Sequence, residues 1–150
     1  MTHNSSAIAK RSSARLMAVQ AVYQSFTDDK DMRLIAGEYL HFHPKYPVDG
    51  EELVEPDAEL FSAIVKGVAE RRADLGELID ANHRRDAAKA SLEPILQSVL
   101  LCGAYELMAN VKTDAPVILN DYIEVTRAFY DGGEPKLINA ILDSIAKTIR

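Results

Sequence analysis

The side chains best suited to chemistry lie near the start of this 150-residue chain. Lys10, Arg11 and Arg15 fall in the first 27 residues, which contain no Asp or Glu. Cations leading into a helix are a common means of holding phosphates, although three charges at an exposed terminus are more often just a solvated end. Ser12 or Ser13 is a suitable cap for a helix starting there. That start would put Lys10 and Arg11 on a flexible arm and Arg15 on the helix itself. Tyr23 lies two turns beyond Arg15 on about the same side. Its ring can stack on an unpaired base or pack in the core with its hydroxyl at the edge.

Other reactive constellations are thin. Asp121 and Glu124 share a helix face, but no companion residue suggests a pocket, and a solvated surface accounts for them. His41 and His43 are two apart, so a helix would point them to different faces and away from a shared metal. Cys102 sits in the apolar run Val99-Leu100-Leu101-Cys102, reads as a small buried hydrophobe, and as a lone cysteine excludes an internal disulfide. There is no Gly-rich phosphate cradle, dinucleotide fingerprint or zinc-protease motif. The sequence therefore points away from an enzyme and calls for no metal and no cofactor. Glu106, Asn120 and Asn139 are polar residues among apolar neighbours in helices. Helix-to-helix hydrogen bonding or capping explains them better than ligand contact, because buried polar groups must be paired.

The elements that must position these residues are helical. Leu16, Val19, Tyr23 and Phe26 recur at three- and four-residue steps, and a second amphipathic piece runs from Met32 to Phe42. Pro44, Pro47, Gly50 and Pro56 mark residues 44–56 as a loop. The stripe from Leu60 to Ile79 predicts one long helix, or two with a bend near Arg72. Ser91 and Pro94 open a helix over about 93–109 that is apolar on most sides and so should be central. Asp114-Ala115-Pro116 starts the next, which Gly132-Gly133 should stop in the left-handed conformation of a C-cap. Glu134-Pro135 starts the last. The pattern predicts an all-α fold of two packed helical bundles with up to seven helices in a single domain, 1–150. Its seam would lie at 83–91, between an N-terminal subdomain of about 10–83 and a C-terminal one of about 91–150.

Hydrophobic residues make up 47% of the chain, enough for a sizeable core, and the net charge is −6. That charge argues against a stand-alone nucleic-acid binder, but local sign matters more than the total. No apolar run is long enough to cross a membrane and no signal peptide opens the chain, so a cytoplasmic protein is expected.

Several blocks resemble the NusB family of transcription antitermination factors. Arg15-Leu16-Met17-Ala18-Val19-Gln20-Ala21-Val22-Tyr23 is similar to its opening helix. Gly103-Ala104-Tyr105-Glu106-Leu107 resembles its Ala-Leu-Tyr-Glu-Leu. Ala115-Pro116 through Asn120-Asp121-Tyr122-Ile123-Glu124 and Lys136-Leu137-Ile138-Asn139-Ala140-Ile141-Leu142-Asp143 match later blocks in order and spacing. The resemblance implies two packed helical bundles that bind boxA leader RNA together with the ribosomal protein NusE, within the RNA polymerase antitermination complex. Position by position, it implies RNA contact at Lys10, Arg11, Arg15, Tyr23 and Phe129. Bundles of this type can self-associate through the same face, and a homodimer would mask the RNA site. Two alternatives stand beside this reading: a helical protein–protein adaptor without RNA binding, and a stand-alone RNA-binding domain related to rRNA cytosine methyltransferases, which share the fold.

Overall fold

The structure is a computed structural model that describes residues 2–42, 55–83 and 92–150. Among these residues there are seven α-helices and no strand: α1 (Thr2–Gln24), α2 (Met32–Phe42), α3 (Ala58–Glu70), α4 (Arg72–Asn82), α5 (Pro94–Ala109), α6 (Ala115–Phe129) and α7 (Glu134–Ile149). The expected all-helical class and number of helices are met. His43, most of the 44–56 loop, residues 84–90 and Ser91 lie outside the described residues.

The apolar α5 is central, as its composition requires. Leu96, Val99, Leu100, Leu101, Cys102, Ala104 and Leu107 are all buried. Helix α5 packs against α1, α3, α4, α6 and α7. Around it, α1, α2 and α3 form one group, while α4, α6 and α7 complete the other. Helix α4 packs mainly on α5 and α7, although it precedes the expected seam. Arg72 at its start also lies 4.6 Å over the ring of Phe26, a cation–π contact between the groups.

Local chemistry sets the helix ends. Asp57 caps α3, its Oδ1 accepting from the Leu60 amide at 3.0 Å. The Leu60–Ile79 stripe divides in two at Arg71, whose φ of −117° and ψ of 23° interrupt the helix. Prolines occupy the first turn of α5, α6 and α7, where a missing N–H costs nothing. The guanidinium of Arg150 closes the far end of α5, donating to the carbonyls of Leu107, Asn110 and Thr113, each at 2.8 Å.

Two expected boundaries are corrected. Helix α1 begins at Thr2, not at Ser12 or Ser13. Residues 2–11 hold no Pro or Gly, and Ala7, Ala9, Lys10 and Arg11 favour extension of a helix once formed. Lys10 and Arg11 therefore ride on a helix and not on a loose arm. Helix α6 stops at Phe129 because Tyr130 turns extended, at φ −137° and ψ 143°. The glycines do not act as a left-handed cap. Gly133 has φ −86° and ψ −1° and precedes α7.

Close approach between α3 and α5 depends on Gly67. A Cβ there would stand 2.1 Å from Cε1 of Tyr105. The whole width of the Tyr105 ring thus fits where α3 presents bare backbone.

Candidate functional site

Arg15, one of the five residues singled out for RNA, is 2% exposed. Its Nε and Nη2 donate to Oε2 and Oε1 of Glu106 at 2.6 and 3.0 Å, a two-pronged pair. Its Nη1 donates to Asp121 Oδ2 at 2.6 Å. Arg15 thus departs from the exposed cation its sequence context suggests, since its charge is matched by two carboxylates inside the protein. Burial disfavours the charged guanidinium, but the hydrogen bonding and attraction of Glu106, with the hydrogen bond to Asp121, outweigh it, so the arginine pKa is raised.

Glu106 is the hub. Besides Arg15, it accepts from Tyr122 OH at 2.6 Å and from Asn110 Nδ2 at 2.8 Å. Burial and the Glu106 charge hold the Tyr122 phenol well above its usual range. Ser12 Oγ donates to Asp121 Oδ1 at 2.9 Å, so this serine ties α1 to α6 and does not cap α1. The expectation that Glu106 serves helix-to-helix bonding holds, whereas Asn120 and Asn139 are exposed. Asp121 is corrected: it is a half-buried partner of Arg15 and Ser12, while Glu124 pairs on the surface with Arg127. Together these contacts fasten α1 onto α5 and α6.

That fastening sets the exposed side of α1. Tyr23 (37% exposed) and Phe129 (38% exposed) meet in one groove of about 650 Å³. Helix α1 supplies Val19, Gln20, Tyr23 and Gln24 to its wall; Glu38 and Tyr39 come from α2, and Ile95 from α5. Two aromatic rings at the mouth of an apolar groove can hold a flat ring system between them. Next to Phe129 in the chain, Tyr130 OH donates to Glu93 Oε1 at 2.5 Å. Burial and that carboxylate push the Tyr130 phenol up to about 12.

The cations stand apart from this groove. Lys10 is exposed on α1, and its carbonyl accepts from the Asp57 amide at 3.0 Å. Arg11 lines a second groove of about 810 Å³, with Asp57, Lys112 and Asp114. Twelve residues of α-helix separate Arg11 from Tyr23, or about 18 Å along the axis. Sequence reasoning missed Gln20, Gln24 and Glu38 as groove residues. Their polar types at the surface carry no signal until the fold sets them around Tyr23. Cys102 is buried as expected, and burial raises its thiol pKa well above the ordinary range. Among the described residues no group of three or more His, Cys, Asp or Glu is placed to hold a metal.

The family model described as the NusB family matches residues 12–147. The chain belongs to the NusB family. It is 36% identical over 141 residues to the transcription antitermination protein NusB of Bartonella quintana, covering 94% of this chain and 90% of that one. It is 38% identical to the Brucella ovis protein of the same name, over 94% of this chain and 82% of that one. The solved structure of T. maritima NusB has the same fold, with a TM-score of 0.73 at 24% identity over 91% of this chain and 90% of that chain. The NusB-family match takes in the whole buried cluster, from Ser12 and Arg15 to Glu106 and Tyr122, and the three aromatic residues of the groove, Tyr23, Tyr39 and Phe129.

Proposed function

We propose that this chain is a transcription antitermination factor that binds boxA leader RNA jointly with the ribosomal protein NusE, as part of the RNA polymerase antitermination complex in the cytoplasm. The observation that carries the reading is the pairing of Tyr23 and Phe129 across one groove on α1, a helix whose first half bears Lys10 and Arg11 and no carboxylate. Single-stranded nucleic acid binds by this combination: bases stack on aromatic rings while the backbone tracks cations. Arg15 contributes from beneath, by holding α1 in place. The acidic net charge of −6 fits a shared site, in which a basic ribosomal partner adds cations.

The test is a titration of labelled boxA RNA with the protein, alone and with NusE, at several salt concentrations. Weak binding alone and tighter binding with NusE are expected. Replacing Lys10 and Arg11 by alanine should flatten the salt dependence by up to about 0.7 log units per lost phosphate contact. Tyr23→Ala and Phe129→Ala should each cost about 1–3 kcal/mol of binding with the salt slope unchanged. If no RNA binds even with NusE present, the protein is an adaptor and this reading fails.

A further inference from the structure

The groove between Tyr23 and Phe129 holds a carboxylate, Glu38, and neither Lys nor Arg among its lining residues. The apolar walls and aromatic rings suit a base and not a phosphate, which would lose its water there, so the sugar–phosphate backbone runs outside. We infer that Glu38 reads that base and selects guanine, an inference that rests on the RNA-binding reading above.

The choice follows from the edges the bases present. A carboxylate only accepts hydrogen bonds, through two oxygens side by side. Guanine offers two parallel donors, N1–H and the 2-amino N–H, matching that pair as an arginine fork does. Cytosine and adenine offer one amino group beside a ring nitrogen whose lone pair would face the second carboxylate oxygen. Uracil has one N–H flanked by two carbonyls, both repelled. Gln20 and Gln24 line the same groove from α1; the Gln20 amide can meet an acceptor such as guanine O6, while Gln24 Nε2 donates to Asp28 Oδ2 at 3.3 Å.

Glu38 is accessible to such an exchange. Its side chain is 44% exposed, and Oε2 accepts from Lys30 Nζ at 2.9 Å. An exposed pair of this kind is weak and readily traded. On release, the Lys30 ammonium, until then held at Glu38, is free to meet the phosphate next to the selected base. Carboxylate and amine would then serve the same nucleotide, one on its base and the other on its backbone.

The experiment replaces each guanine of labelled boxA leader RNA in turn by inosine, which lacks the 2-amino group, and measures affinity with NusE present. One position should lose about tenfold, the scale of a two-pronged base contact. Glu38→Ala should weaken the guanine RNA by a similar factor and bind guanine and inosine alike at that position, with an unchanged thermal midpoint because Glu38 is at the surface. If no guanine is sensitive to inosine, or if Glu38→Ala keeps the full inosine penalty, Glu38 does not read the base, and the RNA-binding reading survives. If the unaltered RNA does not bind at all, both are overturned.

Discussion

Arg15 illustrates how the same residue type can serve opposite ends. In the sequence it stands beside Lys10 and Arg11 in a stretch free of carboxylates, and its type suggests an external phosphate. In the fold it meets Glu106 and Asp121, which lie 91 and 106 residues further along. Nothing local announces those partners, so no reading of nearby residues could separate Arg15 from its two neighbours. A buried ion pair adds little compared with an apolar substitute, but removing one member strands the other charge. Arg15→Ala should therefore cost about 3–5 kcal/mol of stability in urea denaturation. Arg15→Lys should recover only part of this, since an ammonium cannot span both Glu106 oxygens and Asp121 in one plane. A loss below about 1 kcal/mol in the alanine variant would show that the cluster bears no structural load. RNA affinity should be compared only under conditions where both variants are folded.

At the scale of elements, the centres of the helices were legible and their ends were less so. Apolar periodicity sufficed for α2 and the central place of α5, because burial imposes it directly, but it left open whether the Leu60–Ile79 stripe was one helix or two, which the backbone of Arg71 decides. The start of α1 was missed because a serine that looks like a cap has a tertiary partner, Asp121. The end of α6 was placed too late because Tyr130 turns extended before the glycines are reached. The contact between Gly67 and Tyr105 was also invisible, since a helical glycine signals nothing until another helix lies across it. Gly67→Ala should destabilise by about 1–3 kcal/mol, the range for overpacking a tight interface. The added methyl would have to push the Tyr105 ring from between α3 and α5, and Tyr105→Ala in the same chain should relieve that clash. Equal costs for Gly67→Ala with and without Tyr105 would sink the idea. Arg150 makes a comparable link between helix ends: Arg150→Ala should lose about 1 kcal/mol, as the carbonyls closing α5 lose their cation.

For the whole molecule, the buried groups predict how stability depends on pH. Cys102 and Tyr122 both lie in the core, and burial, with the nearby charge of Glu106, raises both pKa values well above the ordinary 9.0 and 10.0. Below pH 9 each group keeps its proton in the folded and unfolded chain alike, so neither makes stability vary with pH. Above that, the unfolded chain releases the Cys102 proton while the folded one retains it. The unfolded state then binds fewer protons, and stability must fall as pH rises. Above pH 10 Tyr122 adds its share in the same direction. Each such group contributes a slope of about 1.4 kcal/mol per pH unit until its folded pKa is passed. Urea denaturation from pH 7 to 11 should show a plateau, a decline from near pH 9 and a steeper decline from near pH 10. Cys102→Ala should remove the Cys102 contribution to the slope between pH 9 and 10, whatever it costs in packing, and Tyr122→Phe should lessen the steepening above 10. The slopes decide the matter, because a cavity shifts the whole curve equally while a lost titration changes only its shape. An alanine variant that declines between pH 9 and 10 as steeply as the parent would mean that the Cys102 thiol is not shielded by the core that α5 forms with its neighbours.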